Sequence, residues 1–418
     1  MLATIVVSVT TILTFAGLFY YVAVLWSARS FIRRRSSPLK PASDLNALPS
    51  GPSSRNPDPS ASSGQAVGYA GVSILKPVKG LDPGMYDAFA SHCRQEYAGD
   101  YEILFGVSSL SDSSEAPVLQ AIRRLIAEFP ERAIRLIETP ERLGPNGKMG
   151  NVVQLAQHAR HDYLIVNDSD IRVGSRYLAH IMEEFRNSQG RKQVGLVTAP
   201  YRGQAHGTLG SKLEALGIST DFFPGVLVAL KMDGEIRFGL GSTLAVSKSA
   251  LEAIGGFAPL VDALADDYEL GRRVAKAGYG VVLSREVVET SVPAYTLSGY
   301  LAHQLRWARG IRDSRRAGYL GLVFTYGLPW ALLNWVASGF AIEGLALLSL
   351  ALLARVTVAL GVGIGILNDW QVMRDLWLIP VRDLTGLAVW VWSFAGNTVT
   401  WRGETFRLEK GVLKRVGG

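Results

Sequence analysis

Apolar positions run without a single charge through residues 1–26, break into short bursts between 72 and 246, and become dense again from 319 to 401. At ~1.5 Å per residue the first run can cross a hydrocarbon core of ~30 Å. Arg29, Arg33, Arg34 and Arg35 follow that run, whereas a signal peptide carries its positive charge before it. The pattern predicts an uncleaved anchor over 1–27, with the N-terminus outside and the chain beyond residue 30 in the cytoplasm. Residues 28–70 read as a flexible tether, because 36–67 are rich in Ser, Pro, Gly and Ala and too poor in large apolar groups to offset ordering entropy.

From residue 71 the pattern changes to strand–helix alternation. Strands are expected at 72–76, 102–107, 134–137, 163–167, 195–199 and 242–246, with helices near 85–95, 115–128, 148–160 and 175–187. This order implies right-handed crossovers and a mainly parallel α/β sheet covered on both faces, spanning 71–300. Ligands of such sheets lie beyond the carboxyl ends of the strands. Residues 301–318 form a basic amphipathic segment and 319–403 the C-terminal membrane segments. These comprise 319–342, 344–367 interrupted by Arg355, and a short stretch 385–401 after Arg382-Asp383. Three crossings put the basic tail 404–418 outside; two, with 385–401 interfacial or re-entrant, keep it in the cytoplasm, and both remain open. The stretch 209–231 is half amphipathic and half apolar around Pro224, and reads as an interfacial element shaping a lipid cleft.

A hydrophobic share of 48% is high for a soluble protein, and its concentration at the two ends carries the membrane reading. One cysteine, Cys93, excludes an internal disulfide and any multi-cysteine metal site. The net charge of +7 sits in clusters beside apolar segments. Anionic lipid and a diphosphate ligand are therefore the expected partners, and nucleic acid is not.

The candidate chemistry begins at YLIVNDSD, 163–170, an apolar strand that delivers Asp168 and Asp170 to its end. Two carboxylates one residue apart suit Mg²⁺ or Mn²⁺, which takes oxygen ligands and shares them with substrate phosphates. Asp267, in LADDYELG, opens a helix and is the candidate base, favoured over Asp266. His303-Gln304-Leu305-Arg306-Trp307 offers a guanidinium for a diphosphate, a flat aromatic for a sugar or acceptor, and His303 and Gln304 as further candidate donor contacts. Lys76-Pro77 ends the first strand, where a nucleotide base would rest, and Lys148 follows a glycine-rich turn that can approach phosphate.

Taken in order, SILKPVKGLDP (73–83), GPNGKMGN (144–151), NDSDIRV (167–173), VGLVTAPYRG (194–203), ADDYELG (265–271), the Arg306-Trp307 pair and WRG (401–403) resemble the family 21 glycosyltransferases. That family includes ceramide glucosyltransferase, and the flanks here are nearer to its hopanoid-biosynthesis members. The resemblance implies a GT-A fold, an N-terminal anchor, C-terminal membrane segments, a UDP-sugar donor, a lipid acceptor and inversion at the anomeric carbon. It gives Asp168 the metal–diphosphate role, Asp267 the base role and Arg306-Trp307 the terminal-motif role. It also makes a bacterial inner-membrane protein with a cytoplasmic catalytic domain the expectation. Two departures stand out: Ser109 occupies the place of an early nucleotide-contacting aspartate, with Asp112 nearby as a substitute, and His303 starts a motif that usually begins with Gln or Arg, with Gln304 one place late. A processive polysaccharide synthase shares these motifs but needs more membrane helices. An inactive nucleotide-sugar-binding scaffold would not need Asp168, Asp170, Asp267 and Arg306 together.

Overall fold

A computed structural model describes residues 1–35, 69–80, 82–186, 192–401 and 404–415. Most of the expected tether lies outside these residues. The strands are β1 (Val72–Pro77), β2 (Tyr101–Val107), β3 (Ala133–Glu138), β4 (Tyr163–Val166), β5 (Ile171–Arg172), β6 (Val194–Thr198), β7 (Tyr201–Ala205), β8 (Leu244–Ser247), β9 (Gly280–Leu283), β10 (Val288–Val292), β11 (Thr398–Trp401), β12 (Glu404–Glu409) and β13 (Val412–Arg415).

Seven of them form one sheet in the order β3-β2-β1-β4-β8-β6-β9. Only β8 runs against its neighbours; the other pairings are parallel. β2 is buried at every position and β1 at all but its last, as expected where helices cover both faces. The expected mainly parallel α/β sheet is therefore present. A second sheet, β5-β10-β7, stands beside the end of β4. Its partly exposed, irregular sequence carries no alternation, and sequence reading passed over it.

The first helix, Leu2–Arg35, runs eight residues past the expected boundary at 27. It turns Ile5, Val9, Ile12, Phe19 and Trp26 outward, and packs its other face on the helix Gly327–Ala337. Their backbones nearly touch where Gly17 meets Gly327: a Cβ on Gly17 would lie 2.2 Å from the Gly327 Cα. Small residues permit this approach between apolar helices. Asn334 closes the contact, its Nδ2 donating to Val7 O at 3.0 Å and to the Thr10 and Thr11 hydroxyls at 3.1 and 2.8 Å.

The charges inside the C-terminal apolar stretches have partners. Arg355, on the helix Ile342–Ala359, makes two 2.8 Å bonds to the Asp383 carboxylate, and both side chains are buried. Residues 209–233 prove to be one helical run with a wide turn at Ile218–Phe222. Pro224 does not break it, because it directly follows the wide turn, where the regular ladder of backbone bonds is already interrupted. The run is long and apolar enough to cross a membrane, yet two-thirds of its apolar window is covered by the rest of the protein. Residues 404–415, read as a basic tail, are strands: β11-β12-β13 form a third, antiparallel sheet. β13 bonds to the loop before Asp266, Leu413 N reaching Asp262 O at 2.8 Å. The tail thus lies on the same side of any bilayer as the large sheet, so the chain between residue 315 and β11 crosses an even number of times. The bent pair Arg316–Thr325 and Gly327–Ala337, 52° apart, and the run Ile342–Ile364 are the apolar helices available for that passage. The helix Ile379–Ser393 then remains on the tail's side.

Candidate active site

The site forms where β1 and β4 end side by side. Asn167 follows β4, fully buried, and its Nδ2 donates to Ser242 O at 2.7 Å, the Tyr177 hydroxyl at 3.1 Å and Thr243 Oγ1 at 3.2 Å. This bracing fixes where the chain turns outward into Asp168. Lys76, the last but one residue of β1, is also fully buried and donates from Nζ to the Asp168 carbonyl at 3.1 Å. Burial pulls the Lys76 ammonium down to about 7, against the opposing pull of Asp170 and Asp168. Pro77 closes the same strand, half-buried.

Asp168 is 40% exposed and holds Lys148 Nζ at 2.7 Å through Oδ1. Lys148 lies in the first turn of the helix Gly147–Ala156, which Asn146 caps through Met149 N at 3.1 Å. Its Nζ also approaches Asp266 Oδ2 at 3.2 Å. Burial disfavours its charge, but Asp168 and Asp266 more than compensate and keep it an ammonium. Asp170 accepts from Thr290 Oγ1 of β10 at 2.5 Å. Burial, then the neighbouring Asp168, pushes its carboxyl up to about 6.

Asp266 and Asp267 start the helix Asp266–Lys276. Asn146 steadies the preceding loop, donating from Nδ2 to Ala263 O at 2.8 Å and to Asp266 Oδ1 at 3.3 Å. Asp267 Oδ1 accepts from Tyr268 N at 2.7 Å. Burial, followed by repulsion from Asp266, raises the Asp267 carboxyl to about 6. Its other oxygen faces Asp168 across Gly241. A Cβ on Gly241 would lie 3.4 Å from Asp267 Oδ2 and 3.6 Å from Asp168 Oδ2. The bare glycine thus keeps open a gap bounded by both carboxylates.

The opposite wall comes from the helix Leu297–Ser314. His303 stacks on Tyr295 and leans on Trp307, ring centroids 5.2 Å apart in each case. Trp307 meets Phe222 at 6.1 Å, and Phe222 meets Tyr201 at 5.5 Å. His303 Nδ1 lies 3.3 Å from the buried Glu214 carboxylate, to which Gln304 Nε2 donates at 2.7 Å. Both side chains expected as donor contacts are thus turned toward the helix Leu209–Gly217. Two tyrosines feel the charges of both halves. Burial pushes the Tyr295 hydroxyl up to about 12, with Glu214 and Asp170 adding to the rise and the Arg306 guanidinium opposing it. Burial also raises Tyr201, with Asp267, Glu214, Asp168 and Asp170 all contributing. Lys76, Lys148, Asp168, Asp170 and Asp267 therefore lie together at the strand ends, and the helix that carries Arg306 and Trp307 stands beside them.

Asp112 is exposed and spends Oδ1 on Ser114 N at 2.8 Å, capping the short turn Ser113–Glu115. The buried acid of that loop is Glu115, which accepts from Gly80 N and Ser108 Oγ, both at 3.1 Å. Among the described residues no cluster of three His, Cys, Asp or Glu side chains forms a protein-only metal cage. Asp168 and Asp170 nevertheless fit a cation that completes its shell with phosphate and water. Asp168 keeps Oδ2 on the open gap, and the mutual repulsion of the pair is what a divalent charge would relieve.

The description of glycosyl transferase family 21 matches residues 9–413, nearly the whole chain. The chain belongs to that family. Among relatives of this family 21 transferase, ceramide glucosyltransferase 3 of Caenorhabditis elegans is 24% identical over 353 residues, spanning 82% of this chain and 73% of the worm protein. Ceramide glucosyltransferase 1 of the same animal is 21% identical over 356 residues, with coverage of 82% and 72%. A mannosyltransferase from Pyrobaculum calidifontis, solved with GDP-Man and Mn²⁺, aligns over 94% of the transferase and 99% of its own chain, with 18% identity and a TM-score of 0.47. The transferase is thus a family 21 glycosyltransferase with apolar helices long enough for a membrane, related to ceramide glucosyltransferases.

Sequence reading missed Gly241, Asn146, Thr290, Glu214 and the two tyrosines. Only Glu214 carried a signal, an acid in a helical run long and apolar enough to cross a membrane, which calls for a partner. The others matter through who faces them, which no spacing reveals.

Proposed function

We propose that this family 21 transferase moves one glucose or N-acetylglucosamine from a UDP-sugar to a lipid hydroxyl of the ceramide or hopanoid class, with inversion. The observation that carries the reading is the gap at Gly241, bounded by Asp168 Oδ2 on one side and Asp267 Oδ2 on the other. A donor diphosphate held on the Asp168 side sets the anomeric carbon before Asp267. The acceptor oxygen attacks that carbon from the face opposite the leaving diphosphate, Asp267 takes the hydroxyl proton, and the C–O bond to phosphate breaks with its electrons going to the diphosphate. A raised carboxyl pKa suits Asp267 to that transfer, since a base works best near the ambient pH. In this reading Arg306 and Lys76 supply the cationic groups that meet the departing charge. Mg²⁺ or Mn²⁺, held by Asp168 and Asp170, would neutralise the diphosphate. In this reading Trp307, in ring contact with Phe222, gives the acceptor an apolar wall.

The bilayer arrangement follows from charge. Arg29 and the run Arg33–Arg35 favour the cytoplasmic face, where UDP-sugars are supplied, and a bacterial inner membrane suits a hopanoid-type acceptor. The deciding experiment incubates purified protein with UDP-glucose or UDP-N-acetylglucosamine, with ceramide or a hopanoid alcohol, and follows UDP release and glycolipid mass. UDP release that ignores the lipid, or a product carrying several sugars, overturns the reading.

A further inference from the structure

The sheet β11-β12-β13 grips the site from behind. Its small core of Val399, Phe406, Leu408 and Leu413 receives Leu264 from the loop that leads into Asp266-Asp267. On its other side Leu264 meets the helix of Arg306 and Trp307, since a Cβ on Gly310 would lie 3.1 Å from Leu264 Cδ2. The backbone is held as well. Ala263 bridges Val412 in antiparallel fashion, Leu413 N donates to Asp262 O at 2.8 Å, and Leu264 N donates to Gly411 O at 3.3 Å. The same sheet reaches that helix directly: Arg309 Nη1 donates to Thr398 O at 2.6 Å, and Asp313 accepts from Gly411 N. A third strut, Glu404 to Arg142 at 2.7 Å, touches the loop that precedes Lys148.

Three elements that carry the site therefore share one support, built from residues 398–415. A loop gains little position of its own from a turn, and an added strand pairing converts it into part of a sheet. We propose that β11–β13 act as a positioning clamp, setting Asp267 at its working distance from Arg306 and Trp307. The proposal rests on the base role of Asp267 and adds what holds that base in place. A displacement of ~1 Å at a reacting group can cost ~10²-fold in rate, so the arm of the clamp at 262–264 acts on turnover, while Lys76 and Asp168, anchored on β1 and β4, and the separate Glu404–Arg142 strut keep the donor side in place.

The test uses the full-length protein in lipid nanodiscs. Leu413→Pro deletes the N–H that reaches Asp262, and Asp313→Ala deletes the acceptor of Gly411 N. Each should lower kcat at least ten-fold, keep the UDP-sugar Kd within two-fold and speed amide exchange at residues 262–267. A cysteine pair, Ala263→Cys with Val412→Cys, sits at a bridged position whose geometry accepts a disulfide, and Cys93 is buried away from it. Oxidising that pair in the Leu413→Pro background should restore turnover, and reductant should remove it again. Unchanged kcat, or a loss of donor affinity and melting temperature in proportion to kcat that the disulfide fails to rescue, overturns the clamp. If the wild type makes no glycolipid with any donor, the transferase reading is what fails. Exchange at 262–267 then still decides the clamp, which falls if Leu413→Pro leaves it unchanged.

Discussion

Asp267 is asked to be charged in a place that resists charge. Its folded-state pKa of about 6 exceeds the unfolded value of ~3.9, so the protonated form is the one folding prefers. The stability linked to this group is present in full below the unfolded value and is lost as pH rises through about 6. Asp267→Asn should therefore leave the melting temperature at pH 7.5 equal or raised, while kcat falls at least ~100-fold and donor affinity holds within a factor of two. A residue that only capped its helix would instead lose ~1 kcal/mol of stability and keep its turnover. In the wild type, kcat should fall as pH drops through about 6, because protonated Asp267 cannot accept a proton. Calorimetry and a pH–rate profile on one preparation separate these outcomes. At Gly241 the space is ordinary for a methyl group, with contacts of 3.4 and 3.6 Å. Gly241→Ala should thus fold normally yet lose most of its transfer, since the methyl fills the gap the reacting atoms need. Asp168→Ala should abolish the divalent dependence of UDP-sugar binding measured by titration calorimetry; unchanged metal dependence would refute the assignment.

Among the elements, the strands leading to the pocket were readable and their companions were not. β1, β2, β3 and β4 are apolar runs bounded by turn-forming residues, and their ends agree with the expected ones within a residue. β5 has two residues, and β10 shows only Val288 and Val292 buried. Neither displays a period, yet β10 supplies Thr290 to Asp170. The Arg355–Asp383 pair teaches the same lesson in the apolar region. The sequence exposes an unexplained charge in each segment, but the match depends on how two helices lie together. Breaking such a buried pair from one side leaves a charge without a partner and costs ~3–5 kcal/mol. Arg355→Leu should lower the melting temperature sharply, and Arg355→Leu with Asp383→Leu should recover most of the loss. A double variant no better than the single one would show that Arg355 has another obligatory partner.

At the scale of the whole molecule, the side on which the tail lies was left open by the charge pattern and follows from contact. The polar and basic residues 404–415 are compatible with either face of a membrane; their bonding to the loop at 262–264 is compatible with one. Single cysteines placed in β12 and in the Ser-rich stretch before residue 68 should react alike with an impermeant maleimide, both protected in intact cells and both labelled after lysis. Labelling of either from outside would reverse the proposed orientation. Cys93, being buried, adds little background.

The Asn334 contact bears on how such a chain is made. Its acceptors, Val7 O, Thr10 and Thr11, leave the ribosome more than 300 residues before the amide that needs them. While they wait, both hydroxyls are satisfied by their own helix, Thr10 on Val6 O and Thr11 on Val7 O, each at 2.8 Å. The first helix can therefore enter lipid early without an exposed donor. The polar amide that lipid would penalise arrives only when a ready-made socket is waiting for it. Synthesis order thus assigns the patient partner to the first helix and the demanding one to a later helix, so that insertion never has to tolerate an unmatched amide.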